Sequence, residues 1–180
     1  MDASGFMPLW HHFDRMEQAL CLRVNRGCQY AFVRRLFSIV SRLGDGGAWY
    51  LLMLIFAVNG ESTALAAGQM AVTAVVGTAF YKLLKERLSR ERPFIACAAI
   101  EPGTAPLDRY SFPSGHTLHS VCFTIVATAH VPELEVILLP FTALVGASRV
   151  VLGLHYPTDV IAGALIGALL ASASLSVWPA

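Results

Sequence analysis

Ser148-Arg149-Val150-Val151-Leu152-Gly153-Leu154-His155-Tyr156-Pro157-Thr158-Asp159 sets an arginine, a histidine and an aspartate in a turn between two long apolar runs. Ionisable groups at the edge of a hydrocarbon-like environment are costly to desolvate, and so mark a candidate functional site. Pro157 suits the first turn of a helix, where its missing N–H costs nothing. Asp159 then falls in that same turn, within reach of His155. An aspartate on one ring nitrogen fixes the tautomer and leaves the other nitrogen free to attack or to accept a proton. Arg149 brings a fork of donors suited to phosphate or carboxylate. The plainer alternative is an Arg and a His snorkelling to the interface at helix ends.

Working outward, the 180 residues are 56% hydrophobic and only 14% charged. Soluble domains carry roughly 25% charged residues, so the composition points to a multi-pass membrane protein of one domain. The net charge of +1 says little about partners, because here the distribution of charge is the informative quantity. Cysteines at 21, 28, 97 and 122 follow no C-x-x-C or metal-ligand spacing, and Cys122 reads as a small packed residue. The chain opens with Asp2 and polar residues, so a cleavable signal peptide is not expected. Over residues 1–36, Leu9, Trp10, Phe13, Met16, Leu20, Leu22 and Val24 recur at roughly helical spacing, with Arg15, Arg23 and Arg26 between them. A basic amphipathic segment of that kind lies on a membrane surface more readily than it crosses, and His11 and His12 are expected to be solvated or interfacial.

The expected fold is all-α, a polytopic membrane bundle of about five to six transmembrane helices. An amphipathic N-terminal segment (1–36) precedes a membrane domain (37–180). Ala48–Val58 is too short to cross alone; extension back to about Phe37 gives enough length but includes Arg42 and Asp45, spaced to pair with each other. Gly44, Gly46 and Gly47 leave a break possible there. Further crossings are expected over 64–81, 112–131, 135–152 and 160–177. In the last of these, Gly163, Gly167 and Ala171 form a small-residue stripe against which another helix packs closely. Five crossings put the turns at 59–63 and 131–135 on one face. The N-terminal segment and the 82–112 and 149–159 loops then share the other.

Two more stretches of that second face carry chemistry. Lys85-Glu86-Arg87-Leu88-Ser89-Arg90-Glu91-Arg92-Pro93 offers a point charge in Lys85 and a bidentate clamp in Arg92, although each alone also fits an interfacial anchor. Ser111-Phe112-Pro113-Ser114-Gly115-His116 offers a helix cap in Ser114, unobstructed N–H groups at Gly115, and His116 inside that anion cradle. His119 and His130 lack such company and read as structural. Three cations, a helix N-terminus and two histidines are the parts phosphoryl transfer needs. No carboxylate cluster suits magnesium and no Cys/His set suits zinc, so neither a metal nor another cofactor is expected.

Lys85-x6-Arg92-Pro93, Pro113-Ser114-Gly115-His116 and Ser148-Arg149-x5-His155-x3-Asp159 together resemble the three-part signature of the type 2 phosphatidic acid phosphatase (PAP2) superfamily. The resemblance covers about residues 37–177 and keeps the order and internal spacings of all three parts. It implies that His155 is a nucleophile forming a phosphohistidine, that Asp159 orients it, and that His116 is the general acid for the leaving group. It assigns Lys85, Arg92, Ser114, Gly115 and Arg149 to binding the phosphoryl group. The superfamily also holds soluble acid phosphatases and vanadate haloperoxidases, but the apolar runs favour its membrane lipid phosphatases. The implied activity is metal-independent hydrolysis of a lipid phosphate or diphosphate, such as undecaprenyl diphosphate, phosphatidylglycerophosphate, phosphatidic acid or lipid A. A lipid phosphotransferase and a non-catalytic lipid-phosphate binding protein are the alternatives. Its partners would be the lipid substrate and the membrane, not nucleic acid, with the oligomeric state open. Compact bacterial members imply a place in the inner membrane with the active site on the periplasmic face. Against that, five crossings put all 13 Lys and Arg on the catalytic side, which the positive-inside tendency would assign to the cytoplasm.

Overall fold

The computed structural model describes residues 7–106 and 108–180, with side chains from residue 15 onward, so the expectations for Leu9, Trp10, His11, His12 and Phe13 lie outside the described side chains. The described residues form eight α-helices and no strand: α1 Met7–Asn25, α2 Ala31–Arg42, α3 Ala48–Val58, α4 Glu61–Leu88, α5 Pro93–Ala96, α6 Gly115–His130, α7 Glu135–Val151 and α8 Pro157–Val177. Four helical stretches are long and apolar enough to cross a membrane: Ala31–Val58, Glu61–Ala96, Pro132–Val151 and Pro157–Val177. The chain is a multi-span membrane protein. α6, at 16 residues, falls short of the roughly 20 a bilayer core asks for. It stands inside the bundle, packed by α4, α7 and α8.

The first crossing starts earlier than Phe37, and the boundary expected at 36/37 falls inside α2. A π-helical turn over Leu43–Gly47 joins α2 to α3, with Gly46 at φ 126°, a value L side chains rarely adopt. Gly44 in this turn lies against Val145 of α7, where an added Cβ would come within 2.7 Å of the Val145 side chain. Asp45 does not pair with Arg42 as its spacing allowed. The turn swings its carboxylate to His116, leaving Arg42 exposed.

α8 is laid against α6 by the small-residue stripe. A Cβ at Gly163 would stand 2.5 Å from the Ser114 carbonyl oxygen, and one at Gly167 would collide with the Leu118 carbonyl. Without a strong hydrophobic drive between helices in lipid, such backbone approach is what lets two of them associate. Trp49, Phe56, Met70, Cys122, Phe123, Val126 and Leu138 fill the bundle core. Leu54, Val75, Val136 and Leu169 stand exposed on the outer surface, where lipid replaces water. The end of α4, the start of α6, the end of α7 and the start of α8 come together at one end of the bundle, with α1 across them.

Candidate active site

His155 is delivered by the turn after α7. The N–H groups of Leu154 and His155 both donate to the Arg149 carbonyl at 3.0 Å, folding the turn back on the helix it leaves. Gly153 makes this possible at φ 70°; a Cβ there would meet Ile100 Cγ2 at 2.6 Å. α8 then opens with Pro157 at its first position, and a capping box forms in which the Asp159 carboxylate accepts the Tyr156 N–H at 2.8 Å.

That cap holds Asp159 beside the histidine, with Oδ2 3.6 Å from His155 Nδ1. The separation is an ion-pair distance rather than a hydrogen bond, and Nδ1 is buried with no hydrogen-bond partner. Asp159 is already engaged on both oxygens, Oδ2 by the Tyr156 N–H and Oδ1 by Arg90 Nη1 at 2.7 Å. On the other side of the ring, Arg92 Nη1 faces His155 Nε2 at 3.3 Å. Arginine only donates, so Nε2 presents its lone pair and the ring proton belongs on Nδ1, towards Asp159; the tautomer follows from the groups around the ring. Burial, then the Arg149, Arg92 and Lys85 charges, push the His155 pKa well below its ordinary value of 6.5. The ring is therefore neutral, its Nε2 lone pair facing the Arg92 guanidinium.

A cavity of about 110 Å³ lies in front of this nitrogen, lined by Lys85, Arg92, Arg149, Gly115, His116 and His155 among others. Both histidines of the sequence motifs thus face one space. Lys85 and Arg92 are buried. Arg149 donates from Nη1 to Ser41 Oγ, and its buried Nε has no partner. His116, in the first turn of α6, has Nε2 3.3 Å from Asp45 Oδ1. Ser114 is the N-cap that its position suggested, but its hydroxyl is fully buried against Thr117 Oγ1 at 3.0 Å and does not line the cavity; Gly115 does.

Two carboxylates and a histidine that line the cavity were not placed at the site by the sequence. Asp108 receives Lys85 Nζ at 2.9 and 3.0 Å and Arg92 Nη2 at 2.6 Å, so a carboxylate of the chain itself bridges two of the expected phosphate ligands. Burial alone would raise its pKa, but Lys85 and Arg92 more than offset this and hold it below the ordinary carboxylate range. Asp45 is the second. His119 is the third: it lines the cavity one turn beyond His116, stacked on Phe123 and bonded to Thr78 at 3.2 Å. No spacing rule pairs Asp108 or Asp45 with its partners, because a loop meets Lys85 of α4 and the Leu43–Gly47 turn meets His116 of α6, elements far apart along the chain. The i, i+3 relation of His116 and His119 was the one available signal.

This arrangement can hold a tetrahedral oxyanion between fixed cations, with a neutral imidazole on one side and a second imidazole nearby. A family model described as the PAP2 superfamily matches residues 66–180. The chain is similar to phosphatidylglycerophosphatase B of Bacillus subtilis, 37% identical over an alignment of 100 residues that covers 49% of this chain and 46% of that protein. It is also similar to undecaprenyl-diphosphatase of Sulfolobus acidocaldarius, 30% identical over 156 residues, 83% of this chain and 72% of that one. Against the first of these relatives the match spans about half its length. Among solved structures, the transmembrane PAP2 type phosphatidylglycerolphosphate phosphatase from Bacillus subtilis superposes with a TM-score of 0.71 at 25% identity, covering 92% of this chain and 86% of that one. With the family's model running from the middle of the bundle through every motif of the cavity, the chain belongs to the PAP2 superfamily.

Proposed function

We propose that this protein is a membrane phosphatase that removes a phosphoryl group from a lipid phosphomonoester or diphosphate, with His155 as the nucleophile. The observation that carries the reading is the single cavity shared by His155, His116, Lys85, Arg92 and Arg149. Lys85, Arg92, Arg149 and the N–H at Gly115 bind the phosphoryl oxygens and neutralise the charge that builds on them. The His155 Nε2 lone pair forms a bond to phosphorus as the bond to the leaving oxygen breaks. His116 gives that oxygen its proton, so the lipid leaves as an alcohol or a monophosphate. Water then attacks the phosphohistidine, His116 takes a proton from it, and inorganic phosphate departs with His155 restored. Asp159, 3.6 Å from Nδ1, supports the positive ring by its charge through both steps.

A lipid substrate fits a site placed at the end of a membrane bundle, where the tail stays among the exposed apolar faces while the head meets the cations. Phosphatidylglycerophosphate and undecaprenyl diphosphate, the substrates named by the similar proteins, are the first to try. The proposed location is a bacterial inner membrane with the cavity on the periplasmic side. The test is phosphate release by purified protein from a panel of lipid phosphates, with a chelator present. His155→Ala should lose at least about a thousandfold in turnover, in line with removal of a nucleophile, while inserting and folding normally. Parental turnover in that variant would remove His155 from the reaction. Transfer of label to an acceptor lipid, in place of free phosphate, would make the protein a phosphotransferase.

A further inference from the structure

α1 sits outside the matched residues 66–180, yet one of its faces reaches the catalytic turn at successive points. Glu17, Cys21 and Asn25 are spaced i, i+4 and i+8, a single stripe of the helix. Glu17 Oε1 accepts the Thr158 N–H at 2.8 Å at the start of α8, and Oε2 accepts the Thr158 hydroxyl at 2.9 Å. Cys21 Sγ stands 3.8 Å from the His155 carbonyl, and Asn25 Nδ2 donates to the Val151 carbonyl at 3.0 Å. The stripe thus grips the turn before, at and after the histidine.

Arg90 ties the grip to the chemistry. Its Nη2 binds Glu17 Oε2 at 2.7 Å and its Nη1 binds Asp159 Oδ1 at 2.7 Å, while the guanidinium lies over the Tyr156 ring at 4.1 Å. A planar fork held at both ends has little freedom to rotate, which distinguishes it from a lysine at the same place. The chain of contacts runs Glu17, Arg90, Asp159, His155, and its last link is the 3.6 Å gap to Nδ1 that decides how well the carboxylate supports the ring.

We infer that Glu17 of the N-terminal helix and Arg90 are positioning residues for the phosphoryl-transfer step, fixing Asp159 against His155, with Glu17 acting from outside the residues that the family model matches. The inference rests on the proposed phosphatase reading. Arg90 and Glu17 do not line the phosphate cavity, so they act on the chemical step and not on head-group binding.

The experiment compares Glu17→Gln, Arg90→Lys and the double variant with the parent, measuring kcat, KM, folded fraction and the rate of phosphoenzyme formation. Each single variant is expected to lose about tenfold to a hundredfold in kcat through misplacement of the reacting groups, with KM little changed. The double variant should be no worse than the weaker single one, because both substitutions break the same chain of contacts. Parental kcat in folded Glu17→Gln overturns the inference. So do losses that multiply in the double variant, a rise in KM with kcat intact, or a loss that merely follows the folded fraction. If Arg90→Lys does not fold, kcat and KM of Glu17→Gln decide alone. Absence of turnover in the parent would instead overturn the phosphatase reading, so the two failures are distinguishable.

Discussion

His155 is held neutral by its surroundings, and that has a measurable sign. Its pKa in the folded protein is well below 6.5, whereas the unfolded chain would protonate it near that value. Between the two, the unfolded state binds the extra proton, so stability from this group is intact above about pH 6.5 and is lost as pH falls below it. His155, the proposed nucleophile, stays unprotonated through that range. The acidic limb of kcat/KM, corrected for ionisation of the substrate phosphate, is therefore expected well below pH 6.5. A limb at 6.5 would mean a solvated ring. At this scale the sequence was informative wherever the proposed site residues sit close along the chain. His155 and Asp159 share a turn, and Ser114, Gly115 and His116 share a helix start. It was silent on Asp108 and Glu17 and offered Asp45 the wrong partner; the residues they meet, Lys85, Thr158 and His116, lie 23, 141 and 71 positions away. Such pairings are set by how the helices are laid side by side, which no local pattern encodes.

Among the elements, the contact of α8 with α6 decides whether the two halves of the site meet. α6 carries His116 and α8 carries Asp159, and the helices touch backbone to side where Gly163 and Gly167 leave room. Gly167→Ala would drive a methyl into the Leu118 carbonyl, which cannot yield as a side-chain end does. A cost of about 1–3 kcal/mol is expected for such overpacking, with a lower melting temperature and reduced turnover. Gly68→Ala, on α4 where an added Cβ meets nothing within 4 Å, should leave both unchanged. Equal melting of the two variants would show that the stripe does not set the helix separation. The stripe was legible because its period is that of the helix. The start of the first crossing was less so. Arg34, Arg35 and Arg42 interrupt the apolar pattern of α2, yet the helix forms because its Val33, Phe37 and Val40 side pack inward.

For the whole molecule, the path of the chain fixes which ends share a side. The turn between α3 and α4 and the turn between α6 and α7 lie at the end away from the cavity, and Ser62 reaches His130 there at 3.3 Å. Cysteines placed at Glu61 and at Pro132 are thus expected to react with an impermeant reagent from the same compartment, the one opposite the active site. Labelling from opposite sides would contradict the five-crossing path. With a periplasmic site, that compartment is the cytoplasm. Four spans were readable from hydropathy, but not that α6, expected as a further crossing, would be a short, enclosed helix. Its 16 residues fall short of a span, and neighbours on three sides enclose it.

Asp108 has a consequence for what enters. Bulk phospholipids are diesters with one negative charge, and they outnumber any monoester or diphosphate in the same leaflet. A bare pair of cations at the bilayer edge would be swamped by them. In this protein Lys85 and Arg92 already hold a carboxylate of their own, so an arriving head group must outcompete it. A second unit of negative charge at 4 Å contributes on the order of 4 kcal/mol in a medium of dielectric about 20, before its dehydration is subtracted. On the proposed reading, a doubly charged terminal phosphate has that margin to displace the resident anion and a singly charged diester does not.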